Sequence, residues 1–162
     1  MKRTKWGGIA DGRFRRSGFF RVDAHDGVFW LVDPDGGRFL SKGVNTVRFD
    51  QDYVRGTDRA PYADACQKKY GSKHAWRASV ADRLASWKFN TLGCWSDELV
   101  ATAGSSLLAT APTAALGATF RLHRRDQVFP DVFDPAFDAH IRSSALDHCA
   151  KRRNDAGLLG TF

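Results

Sequence analysis

Two stretches of this chain end in the same way. Residues 28–47 read VFWLVDPDGGRFLSKGVNTV and residues 87–98 read WKFNTLGCWSDE. In each, an apolar strand pattern breaks off at polar and aromatic side chains: Asn45 in the first, and Trp95, Ser96 and Asp97 in the second. Strands that finish like this present residues at the carboxyl face of a (β/α) barrel. The last six residues, GLLGTF, form a further apolar strand-like run. The three stretches together predict the front half of such a barrel, stopping where a fourth strand would deliver its residues.

The segments between them carry the matching helical signals. Trp76, Val80, Leu84 and Trp87 recur at helical spacing, so a helix is expected over residues 72–88 with Ser72 as its cap. Asp134-Pro135 opens a last helix, with Asp as cap and Pro at the first helical position. Its apolar stripe is Phe137, Ile141, Ala145 and Cys149. Ser96, with Asp97 and Glu98 in the first turn, is expected to open another. Before these, residues 19–23 and 28–33 read as short strands. The turns at His25-Asp26-Gly27 and Asp33-Pro34-Asp35-Gly36-Gly37 give a meander leading into a strand over residues 39–47. Residues 48–71 lack a period and read as a long loop with a helical turn. Residues 114–122 are the candidate third strand, although alanine is a poor strand former. The predicted order is meander, then β, α, β, α, β, α, β. The fold class is therefore α/β: a partial (β/α)8 TIM barrel of about four βα units, preceded by a small N-terminal β-meander. Residues 1–18 are expected to be a flexible leader, and residues 19–162 the domain. Phe19, Phe20, Phe29, Trp30 and Phe39 are expected to pack as a local plug.

Composition narrows the function. The 162 residues are 43% hydrophobic and 27% charged, ordinary for a globular domain. No apolar run approaches the roughly 20 residues that span a bilayer, and no signal peptide is visible, which leaves localisation open. The net charge of +7 is scattered over five clusters, among them residues 13–16, 121–125 and 151–153, and reads as solvated surface. No nucleic-acid motif accompanies it. Cys66, Cys94 and Cys149 have no zinc spacing and read as buried thiols. His123, His140 and His148 share no ligand spacing; the last two would stand about 12 Å apart along one helix. Neither a metal nor another cofactor is expected. G-x-S-x-G is absent, so a serine triad is unsupported.

Five segments in order carry a family signal: DGVFWLVDPDGGRFLSKGVNTV, KYGSKHAW, RLASWKFNTLGCWSDE, FPDVFDPAF and LLGTF. Together they resemble the amino-terminal half of beta-agarase-like glycoside hydrolases, from about Phe19 to Phe162. The resemblance implies a (β/α)-barrel enzyme that cuts galactan polysaccharides with two glutamates. It places barrel strands one to four at residues 39–45, 89–95, 114–122 and 158–162. The acid/base glutamate would follow strand four and the nucleophile would lie on strand seven, both beyond Phe162. The residues agree, since Glu98 is the one glutamate in the chain. Glycoside hydrolysis needs two carboxyl groups, about 5–5.5 Å apart for retention or about 6.5–9.5 Å for inversion. Glu98, at a predicted helix start, suits a capping role better than proton donation. No catalytic residue is therefore assigned.

Substrate contact is expected instead, with a polysaccharide or oligosaccharide as partner. Asn45 is placed either to hydrogen-bond a sugar hydroxyl or to hold the next loop by an Asx turn. Trp95 is placed to stack on a pyranose face or to fill the core under the loop. Asp97 either accepts from sugar hydroxyls or stabilises a first helical turn. Arg48 and Tyr53, in the loop after strand one, complete the set. The rival readings are a non-catalytic carbohydrate-binding or vestigial protein and a basic nucleic-acid-binding domain. A half barrel also leaves two sheet edges open, which predicts self-association through them.

Overall fold

The computed structural model describes residues 1–50, 52–121 and 129–162. It is an α/β fold with two three-stranded sheets. The first is the antiparallel meander β1 (Arg21–His25), β2 (Val28–Val32) and β3 (Arg38–Phe39). The second is parallel: β4 (Gly43–Val44), β5 (Thr91–Leu92) and β6 (Ala109–Thr110), in that order. Leu158 bridges Thr110 in parallel, and Leu159 N–H donates to Thr110 O at 2.8 Å. Further along, Phe162 N–H donates to Pro112 O at 2.9 Å, so residues 158–162 run beside β6 as the fourth member.

The strand expected over residues 39–47 is in fact two. Leu40, Ser41 and Lys42 turn the chain from the antiparallel sheet into the parallel one, and Leu40 is exposed. The third parallel strand is β6, ahead of the expected residues 114–122. In that stretch Leu116–Arg121 form a short helix, α3, as alanine and leucine favour. Part of the expected strand, with His123, lies outside the described residues.

The connections between parallel strands are unequal. Between β4 and β5 run two helices, α1 (Pro61–Tyr70) and α2 (Lys73–Ser86). The first occupies most of what read as a loop, because Pro61 starts it and left-handed Gly71 stops it. Ser72 caps α2 as expected, accepting from Ala75 N–H at 3.1 Å. A single 3-10 helix (Glu98–Thr102) joins β5 to β6, with Asp97 rather than Ser96 as its cap. Helix α4 (Pro135–Ala150), capped by Asp134, precedes residues 158–162. Phe120 of α3 packs on it, its ring 5.2 Å from Phe137 and 5.3 Å from His140.

Each face of the parallel sheet has its own core. Trp76, Ala81 and Leu84 of α2 meet Leu92, Val100, Ala101 and Leu108 on one side. Trp6, Phe39 and Ala109 meet on the other, with Phe20 and Leu159 against them. Leu108 and Ala109 are adjacent in the chain yet join different cores, the alternation of a strand. Phe20 and Phe39 do form the expected plug, but its third aromatic is Trp6, and Phe29 is exposed.

That placement corrects the reading of residues 1–18 as loose. Trp6 is only 6% exposed, and Ile9 exchanges both backbone bonds with Arg38. Thr4 hydroxyl donates to the fully buried Asp33, whose other oxygen accepts from the amides of Asp35 and Gly37. A side chain on Gly8 would collide with that carboxylate. The first nine residues are thus tied to the Asp33–Gly37 turn. Of the cysteines only Cys94 is buried; Cys66 is half-buried and Cys149 exposed.

Candidate functional site

At the carboxyl ends of β4 and β5 the backbone departs from strand geometry. Thr46 and Trp95 have φ of 59° and 57°, and Ala115, past β6, has 51°. Such left-handed positions are uncommon for residues other than glycine, and strained backbone gathers at functional sites. Hydrogen bonds hold the bends together. Thr46 N–H donates to Cys94 O at 2.9 Å, Val47 N–H to Ser96 Oγ at 3.1 Å, and Asp97 N–H to Val47 O at 2.8 Å. Trp95 N–H donates to Thr113 Oγ1 at 3.1 Å, linking the second strand end to the third.

A cleft of about 280 Å³ opens there, between the loop after β4, the amino end of α2 and the residues after β5. It gathers three of the five expected residues: Arg48, Trp95 and Asp97. Trp95 is 52% exposed, and its ring meets Phe162 edge-on at 5.3 Å. It is therefore a surface ring braced from one side, not a core side chain. Asp97 is already engaged: one oxygen caps Leu99 N–H at 3.2 Å and the other pairs with Arg77 Nε at 2.8 Å.

Asn45 stands next to the cleft without lining it. Its Oδ1 lies where a side chain on Gly93 would be, and the carbonyl of Val44 would be 3.1 Å from that added carbon. Gly93 therefore exists so that Asn45 can fold over the end of β5. Tyr53 is exposed and outside the lining.

Three lining residues, Asp50, Lys73 and Arg77, escaped the sequence reading, and a fourth, Ser96, reads in the sequence as a strand-end residue and helix cap and not as a ligand contact. Lys73 and Arg77 are one turn apart on α2, a spacing visible in the sequence, but nothing there says which way that face points. Asp50 holds Lys73 Nζ at 3.3 Å and Arg48 Nη2 at 3.8 Å. Partial burial raises its pKa, but its own backbone amide and these two cations outweigh that and hold it below the ordinary carboxylate value. The cleft thus offers an exposed aromatic ring flanked by three cations and the carboxyl groups of Asp50 and Asp97. Such a set suits a neutral, hydroxyl-rich ligand with a flat apolar face.

Glu98 is elsewhere in its chemistry. Both its oxygens accept from Arg152 Nη2, at 2.8 and 3.0 Å, which ties the 3-10 helix to the end of α4. Among the described residues no group of three or more His, Cys, Asp and Glu is arranged to hold a metal ion.

No protein-family model matches the chain. Beta-agarase B of Vibrio sp. (strain JT0107) is 24% identical over 99% of this chain. The chain resembles the beta-agarases. It spans 23% of that relative's length, and the alignment runs over 223 residues, so the relative carries additional residues between matched segments. Solved structures agree on the fold of this agarase-like chain. BpGH50 matches 98% of it at TM-score 0.72 and 24% identity, using 36% of its own chain. An agarase, AgWH50C, matches all of it at TM-score 0.71 and 21% identity, using 31%.

Proposed function

We propose that these residues form the first four strand–helix units of a (β/α)-barrel glycoside hydrolase acting on galactan-type polysaccharide. Supporting this are the parallel order β4, β5, β6 and residues 158–162, with the cleft at their carboxyl ends, and the resemblance to beta-agarases over nearly the whole chain. The observation that carries it is the exposed ring of Trp95 at the cleft, standing beside polar groups on two successive strand ends. In this reading Trp95 stacks on a pyranose ring, while Asn45, Arg48 and Asp97, the last through its pair with Arg77, orient hydroxyl groups. Tyr53 contributes from the rim.

The catalytic pair is not assigned within these residues. The single glutamate is held by Arg152, and the aspartates of the cleft are consumed by cations and a cap. The chain on its own is therefore expected to bind agarose oligosaccharides without cleaving them. The engagement of Glu98 equally favours a second reading, a carbohydrate-binding protein with no hydrolytic role.

The test is calorimetric titration with agarose oligosaccharides alongside a reducing-sugar assay. Binding that Trp95→Ala weakens by roughly tenfold, about 1.4 kcal/mol, is the expected outcome. Robust turnover by this chain alone would contradict the missing catalytic pair, and binding unaffected by Trp95→Ala would remove the cleft as the site.

A further inference from the structure

A second cavity, of about 480 Å³, opens at the amino ends of the parallel strands, at the other end of the sheet from the cleft. Lys42 precedes β4, Asn90 precedes β5 and Leu108 precedes β6, and all three line it. Its wall carries four cations, Arg3, Lys5, Lys42 and Lys88, and no carboxylate. None of the four enters an ion pair among the described residues. Arg3 is held in place by Nη1 donating to Gly7 O at 2.6 Å, which leaves its other N–H groups available. Lys5 Nζ sits 5.6 Å from the ring centre of Trp6, a buried aromatic beside the cavity.

Lys88 adds an independent observation. It follows α2 with φ of 67°, in the left-handed position where a helix commonly ends on glycine. The surrounding bonds are those of a Schellman cap: Lys88 N–H to Ala85 O at 2.9 Å and Phe89 N–H to Leu84 O at 3.0 Å. A lysine here carries a backbone cost that glycine would avoid, and it adds a fourth like charge to a wall that already repels itself. Neither helps folding, whereas both make sense if the charge meets an anion.

We infer that this cavity is a binding site for a small molecule bearing phosphate or sulfate ester groups with a total charge of two or more. Such an anion offsets the mutual repulsion of the four cations and accepts their N–H groups, while Trp6 and Leu108 supply an apolar floor. The site is separate from the saccharide cleft and does not depend on its assignment.

Titration calorimetry of the full chain at low salt tests it, with inorganic pyrophosphate in one arm and a disulfated galactose in the other. Saturable binding of either probe is expected, and the tighter arm tells the phosphate source from the sulfate source. The double variant Lys5→Ala/Lys88→Gly should lose roughly tenfold or more in affinity. Its melting temperature should hold or rise, because glycine relieves the left-handed position. Lys68→Ala/Lys69→Ala, on α1, should bind as the parent does. No saturable binding in either arm, or unchanged affinity in the first variant, or equal losses in both variants would overturn the assignment; the last would mark general attraction to a basic surface.

Discussion

Gly93 and Asn45 occupy each other's space, so a substitution at one is felt through the other. Gly93→Ala forces Asn45 out of its position over β5 or displaces the Val44 carbonyl. A loss of about 1–3 kcal/mol in a denaturant melt is expected, with part of it recovered in an Asn45→Ala background. Lys88→Gly works in the opposite direction: relief of the left-handed penalty outweighs glycine's entropy cost, for a net gain of up to about 1 kcal/mol in the same measurement. At this scale the sequence was partly legible. Trp95 and Asp97 announced themselves because an apolar strand stops in front of them. Lys73, Arg77 and Asp50 did not, since the pairs Lys73–Asp50 and Arg77–Asp97 span 23 and 20 residues and exist only once α2 lies against the strand ends. Gly93 carried no signal of its own, because its role is to leave room for a side chain 48 residues earlier.

Among the elements, α2 shows where local rules suffice. Its cap and its buried stripe of Trp76 and Leu84 are the ones the spacing predicts, although Trp87 is exposed. Ser72→Ala should cost about 1 kcal/mol in chemical unfolding. Stretch 114–122 shows where they fail: β6 is only two residues long, too short to print a period, and the apolar run after it belongs to α3. Helix α4 carries a pH dependence. Burial, then the charge of Arg152, then that of Lys151, push the His148 pKa below its ordinary 6.5, against an opposing pull from Glu98. A depressed value means the folded chain favours neutral imidazole. Its contribution is intact above pH 6.5 and is eroded as pH falls below that. The melting temperature should therefore drop as pH falls below 6.5, and His148→Gln should flatten that drop.

For the molecule as a whole, the parallel sheet has two uncompleted sides among the described residues. Strand β4 pairs only with β5, and residues 158–162 pair only along β6. Unpaired strand edges recruit other edges. Sedimentation velocity on the isolated chain should show mass rising with concentration, and a monomer at every concentration tested would mean the edges are protected. The barrel reading itself came from the alternation of strand and helix signals, which survives in the structure even where boundaries moved. What the sequence concealed was the amino end, because its polar, arginine-rich composition masks one tryptophan and one threonine with long-range partners. The Trp6 ring lies 3.3 Å from where a side chain on Gly157 would begin, just ahead of the fourth strand and 151 positions away. Trimming the first nine residues as an apparent tail would thus unroof one side of the parallel sheet and leave Phe20, Phe39 and Leu159 facing water.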